Sequence, residues 1–148
     1  MSFFDSLSIS GSALAAERQR TEIIAANMAN ARTTRTEAGG PFRRREVVFE
    51  SSGASAFRLA LAHTGESRGP IPGSVQISQV VDDPSPAILR YEPGHPDANK
   101  EGYVAYPAIN PAAEMVDLMD SVRAYQLNAS AVAATKQMIQ QTIEILKS

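Results

Sequence analysis

An α+β fold follows from three features of the sequence: helical patterns at both ends, a middle broken by proline and glycine, and short alternating apolar runs within that middle. The C-terminal pattern is the clearest. Met115, Leu118, Val122, Tyr125, Ala129, Val132, Lys136, Ile139, Ile143 and Leu146 recur at gaps alternating between three and four. That alternation marks a helix whose stripe faces another helix. Only Lys136 is out of character. The N-terminus offers a weaker mate at the same spacing: Phe4, Leu7, Gly11, Leu14, Arg18, Thr21, Ala25 and Met28. The expected architecture is therefore long N- and C-terminal helices pairing as an antiparallel coiled coil, with a small β-rich middle domain.

The elements follow in order. Residues from about Asp5 to Asn30 are rich in Ala, Glu, Gln, Arg and Leu and lack proline, so they read as helix, weakest at Ser10-Gly11-Ser12. The polar, β-branched stretch from Ala31 to Thr36 ends it, and Gly39-Gly40-Pro41 breaks any regular element. Phe42–Glu50 reads as a strand, with Val47, Val48 and Phe49 as its apolar part. A mobile loop is expected over about 51–74, with a short strand at Phe57–Leu61 inside it. Ser74–Asp82 alternates as a half-buried strand, and Ile88–Tyr91 is another candidate. Six prolines from Pro84 through Pro111 forbid a long helix over that stretch. Asn110 is placed to cap the last helix, Pro111 suits its first position, and Glu114 lies near the positive end of its dipole. The expected domains are 1–30 and 112–148 as helices of an inner coiled-coil layer, and 31–111 as the middle.

Composition narrows the function classes. The formal net charge of −2 argues against a general binder of nucleic acid or anionic membrane. No apolar run approaches the length of a membrane span. The N-terminus lacks a basic region, and Asp5 sits where positive charge belongs, so no Sec-type signal peptide is expected. Cysteine is absent, which removes disulfides, thiolate metal ligands and cysteine nucleophiles. That fits the cytoplasm and equally an exported protein that avoids oxidation.

Candidate chemistry is sparse. Glu92-Pro93-Gly94-His95-Pro96-Asp97 brings an imidazole and two carboxylates within six residues. Such groups must converge to hold a metal or run acid–base chemistry. Here Pro93, Gly94, His95, Pro96 and Asp97 read as a structural turn, with His95 bonding backbone. Arg43-Arg44-Arg45 forms a basic patch without a nucleic-acid module, so its arginines are expected to pair with nearby acids. No phosphate-binding glycine loop or serine nucleophile elbow is present. No catalytic residue, metal or cofactor is assigned. Asn27 and Asn30 bracket the helix end, where their amides can cap carbonyls or fix helix register. The C-terminal helix also carries a second apolar row, Met119, Ala131, Ala134, Met138 and Ile145. Two stripes imply more than one neighbour, and so an assembly.

Several blocks carry a family resemblance. Ala26-Asn27-Met28-Ala29-Asn30 followed by Thr33 resembles the N-terminal motif of bacterial flagellar rod and hook proteins. Gly39–Arg44, Tyr91–Ala98, Gly102–Pro107, Glu114–Met119 and Arg123-Ala124-Tyr125-Gln126 with Asn128 are more selective. In this order they are similar to the proximal-rod branch of that family over nearly the whole chain. Residues 51–74 match nothing in it, and Ala108 stands where asparagine is more usual.

The resemblance implies a structural subunit, not an enzyme. It implies helical polymerisation around the export channel and torque transmission across the periplasm for motility. It places the chain in the rod of the flagellar basal body, exported by the type III apparatus without a cleaved signal. The implied partners are further copies of the chain, the rod proteins FlgB, FlgF, FliE and FlgG, the export apparatus and the ring proteins around the rod, with no nucleic acid and no membrane insertion. Leu7, Leu14, Met28, Met115, Leu118, Val122, Tyr125, Val132, Ile139, Ile143 and Leu146 are expected as the assembly seam. Asn27, Asn30, Arg43, Arg44 and Asn128 are expected to make register and polar contacts. Both ends are expected to order on assembly, because closing a helix pair across the long middle costs chain entropy.

Two other readings compete. One is a coiled-coil adaptor or secreted effector that shares the export route but not the polymer. The other is a cell-wall hydrolase using Glu92 and Asp97 around His95.

Overall fold

The first helix, α1, runs from Phe3 to Ala29, with Asp5 in its first turn where a negative charge favours the dipole. It passes through Gly11 unbroken. The computed structural model describes residues 3–52 and 73–147. Asn30 ends α1 by donating both its backbone N–H (3.1 Å) and its side-chain Nδ2 (2.9 Å) to the carbonyl of Ala26.

A tight loop follows. Thr36 N–H donates to Gly40 O at 2.9 Å, and Gly39 N–H donates to Thr36 O at 3.0 Å. Gly39 and Gly40 hold φ of 85° and 78°, a left-handed pair that side chains resist. The loop delivers the chain to β1, Arg45–Ser52, which pairs with β2, Ser74–Asp82, in a two-stranded antiparallel sheet. Residues 51 and 52 thus end β1, and Ser74 opens β2; the rest of the expected mobile loop, with the strand at Phe57–Leu61, lies outside the described residues.

The proline-rich stretch holds a second ribbon. β3 is Ile88–Tyr91 and β4 is Tyr103–Tyr106, antiparallel, with Leu89 opposite Ala105 and Arg90 opposite Val104. Val104 is fully buried, and the Tyr91 and Tyr103 rings meet edge to face at 5.4 Å. The sequence reading did not single out β4. Its alternation over Tyr103–Tyr106 spans four residues and sits among prolines. Gly102 precedes it at φ 83°, with the Tyr91 ring and Pro93 packed where a side chain would project.

The second helix, α2, spans Pro111–Lys147. Asn110 caps it: its Oδ1 accepts the Ala112 N–H at 3.0 Å and its carbonyl accepts the Glu114 N–H at 3.1 Å. Pro111 costs nothing at the first position, where no N–H partner exists.

The chain forms two compact units. The described parts of the first are residues 3–19, 48–52, 73–79 and 121–147; those of the second are residues 20–47 and 80–120. In the first, Ser12 Oγ accepts the Val75 N–H at 3.0 Å, tying α1 to β2. Ala16 is its buried apolar residue among those described; Ile24, Val104 and Ile109 are those of the second.

Candidate functional site

In the second unit, α1, β1 and α2 meet at a knot of polar side chains. Asn27 is 1% exposed. Its Nδ2 donates to Arg45 O and its Oδ1 accepts Arg45 N–H, both at 2.9 Å. The same Nδ2 donates to Glu114 Oε2 at 3.1 Å, so both amide hydrogens and the carbonyl are used. Glu114 is equally buried. Its other oxygen, Oε1, accepts from Arg44 Nε at 2.5 Å. Arg44 also reaches Asp117 Oδ2 at 3.3 Å and bonds Glu46 through Nη1.

A buried carboxylate is costly unless its charge and lone pairs are met, and here one guanidinium and one amide meet both oxygens. Burial works to lower the Arg44 pKa. The hydrogen bond to Glu114 and the charges of Glu114, Glu46 and Asp117 outweigh it and raise the pKa above its ordinary value. The knot therefore holds one cation against three anions, and it ties together residues up to 87 apart in sequence. The three acids, Glu114, Glu46 and Asp117, were not assigned from the sequence; Glu114 escaped because a carboxylate in a helix's first turn is already explained by the dipole.

The other polar positions serve their own neighbourhoods. Asn30 closes α1, and its Oδ1 accepts the Thr33 hydroxyl at 3.1 Å. Asn128 donates to Ala124 O one turn back at 2.9 Å. Arg43 is exposed. Arg45 lies 3.6 Å from Asp82 and stacks over Phe42 at 5.6 Å.

The Pro93–Asp97 turn is closed by His95 N–H to Glu92 O (3.1 Å) and Ala98 N–H to His95 O (3.0 Å). His95 Nδ1 accepts the Asp97 N–H at 3.1 Å. The Asp97 carboxylate accepts the Thr34 hydroxyl at 2.7 Å and lies 3.7 Å from Arg35. Glu92 accepts the Tyr106 hydroxyl at 2.9 Å, and Arg90 covers the Tyr106 ring at 4.9 Å. Both carboxylates are thus engaged with their own chain. Among the described residues, no three His, Cys, Asp or Glu side chains are grouped to hold a metal ion. A cleft of about 270 Å³ has Pro41, Phe42, Arg44, Pro84, Pro86 and Pro107 among its lining residues.

Along α2 the buried side of the helix differs from its apolar stripe. The buried positions are Glu114, Ser121 and Thr135, with Asn128 half-buried between them: a heptad row that is polar throughout. Met115, Val122 and Ile143, one residue later in each repeat, are exposed, as are Tyr125 and Leu146. Leu118, Val132 and Ile139 are half-buried, as are Leu7, Leu14 and Met28 on α1. Met119 and Ile145, from the second apolar row, are 60% and 74% exposed. A row of large apolar side chains left exposed is unusual for a lone chain. Among the described residues, no helix is long and apolar enough to cross a membrane.

Comparison with known proteins defines the class first. The family model "Flagella basal body rod protein" matches residues 7–35, and "Flagellar basal body rod FlgEFG protein C-terminal" matches residues 100–145. The first match covers most of α1 and the start of the loop after it, the second covers β4 and most of α2, and residues 36–99 lie outside both. Relatives then extend over the whole length. The flagellar basal-body rod protein FlgC of Bacillus subtilis is 41% identical over 99% of this chain and 100% of its own. That of Yersinia enterocolitica is 34% identical over 98% of each, and that of Borreliella burgdorferi 32% over 99% of each. The chain belongs to the FlgC family of flagellar basal-body rod proteins.

Proposed function

We propose that the chain is a subunit of the proximal rod that polymerises helically around the export channel and carries torque across the periplasm. The observation that carries this reading is the exposed apolar row of α2, on a chain matched end to end by rod proteins. A surface of this kind is stable in water only when other helices cover it. In this reading the ends, 1–30 and 112–148, form an inner coiled-coil layer, and 31–111 form the outer domain. Leu7, Leu14, Val132 and Ile139 belong to the seam between the chain's own two helices. Met115, Val122, Tyr125, Ile143 and Leu146 extend that seam onto neighbouring subunits. Those neighbours are further copies and the adjoining rod proteins FlgB, FlgF, FliE and FlgG, delivered by the same type III export apparatus. The role is mechanical, and no catalytic step is assigned.

Met119 tests the reading because it is exposed and so is not needed for the fold of the subunit. Met119→Asp is expected to leave the circular dichroism and thermal midpoint of the purified subunit unchanged. It is also expected to abolish swimming and rod formation in cells lacking the native copy. Swimming at the normal rate would overturn the proposal.

A further inference from the structure

Every residue of the second unit is described, and its surface carries two features that the polar knot and the helical rows leave unused. The first is a knob on the β3–β4 ribbon. Residues opposite one another in an antiparallel pair lie on one face. Leu89 with Ala105 and Tyr91 with Tyr103 therefore share a face, and Arg90 with Val104 share the other. Val104 is fully buried, so its face is the inner one. On the outer face Leu89 is 63% and Tyr91 65% exposed, and the Tyr103 ring meets that of Tyr91 edge to face. The Tyr91 ring lies against Gly102, which sets it beside Glu101.

The second feature is the cleft of about 270 Å³ lined by Pro41, Phe42, Pro84, Pro86 and Pro107. Small-molecule pockets run from about 300 Å³ upward, so this one is sized for a large side chain. Proline fixes φ at four of these positions, which stiffens the walls. Arg43 also lines the cleft. Of the three consecutive arginines, Arg44 is held by Glu114, and Arg45 lies by Asp82 and over Phe42. Arg43 is exposed and has no ion-pair partner among the described residues. Neither Leu89 nor Tyr91 lines the cleft of its own chain.

We propose that the Leu89–Tyr91 knob of one copy fills the proline-lined cleft of the next. The two surfaces match in polarity and in charge. The knob is apolar and flanked by Glu101, which is exposed and has no ion-pair partner among the described residues. The cleft is apolar and flanked by Arg43. Lys100, next to Glu101, has its counterpart in Asp83 of the cleft lining. Knob and cleft are different parts of one surface, so the contact is heterologous. Each copy gives its knob to one neighbour and its cleft to another, which builds a row of copies and not a closed pair. This contact rests on the polymer reading above and adds a bond between subunits outside the helices.

Cross-linking in assembled rods tests the inference. The chain lacks cysteine, so introduced thiols report alone. Leu89→Cys in the knob and Ser85→Cys in the cleft lining are combined in the full-length chain, in cells lacking the native copy. Rods are purified, treated with a short bis-maleimide, denatured and probed with an antibody to this chain. Dimers, trimers and larger species are expected from the double variant and from neither single one. Rods that form without this ladder overturn the contact and leave the polymer reading standing. A dimer from Leu89→Cys alone also overturns it, because knob then meets knob. A charge exchange decides the matter if the cysteines themselves block rods. Arg43→Glu and Glu101→Arg are each expected to lower rod yield about 3-fold, and the double variant to restore it. Undiminished yield in the single variants, or no recovery in the double, overturns the contact. The polymer reading fails by a separate result, normal swimming of Met119→Asp cells.

Discussion

Asn27 holds the peptide of Arg45 at both of its polar groups, donating to the carbonyl and accepting from the N–H at 2.9 Å each. At neutral pH a side-chain amide offers a donor and an acceptor side by side. Asn27→Ala leaves Arg45 N–H and one oxygen of Glu114 short of a partner. It is expected to cost about 1–3 kcal/mol in urea unfolding of the subunit. Asn27→Asp is expected to cost more at neutral pH, because it sets a second carboxylate against Glu114 Oε2, where the amide now donates. The excess should shrink on acidification as the new carboxyl takes up a proton. Equal stability of the two variants across the pH range would refute this account of the site.

Two glycines make opposite predictions. Gly102 has φ 83°, and a methyl there would lie 2.8 Å from the Tyr91 ring and 3.3 Å from Pro93 Cβ. Gly102→Ala is expected to destabilise by about 1–3 kcal/mol, the cost of a side chain in a left-handed conformation. Gly11 lies within α1, and a methyl added to it would meet nothing within 4 Å. Gly11→Ala is expected to raise helix content and to stabilise by about 0.5–1 kcal/mol. Thermal melts of the two variants check both signs.

Tyr106 gives the fold an alkaline dependence. Its hydroxyl bonds Glu92, which raises the phenol pKa; desolvation and the Glu92 charge add to the rise, while Arg90 and Arg32 oppose it. A raised pKa in the folded state means that the contribution to stability is whole below the ordinary phenol value of 10.0. It is lost as pH climbs through the folded value. Tyr106 is expected to ionise late in an absorbance titration, and Tyr106→Phe should remove that late step. A titration in which the late step survives the substitution would assign it elsewhere.

Much of the fold was legible because it rests on local rules. The Asn110 and Pro111 start signal, the glycine pair after α1 and the alternation of Ser74–Asp82 each act within a few residues. The buried side of α2 was not legible in this way. Its apolar row begins at Met115 and draws attention, whereas the polar row of Glu114, Ser121, Asn128 and Thr135 carries no apolar period. Arg44 and Asn27 draw Glu114 inward from 70 and 87 residues away, and no local period records contacts at that range. The polar residues at the end of α1 stood out, but their partners did not.

The bond between Asn27 and Arg45 also bears on which polymers this chain can form. Arg44 turns its carbonyl toward β2, where it accepts the Asp83 N–H at 2.7 Å. The peptide groups of Arg45 point the other way, and Asn27 occupies them. At that point the outer border of β1 is sealed by a helix side chain in place of a third strand. An open strand border is a template for stacking one chain on another without limit. A protein read as building a shaft through its helices gains from closing that route, because every subunit lost to edge-on stacking is one that never reaches the shaft.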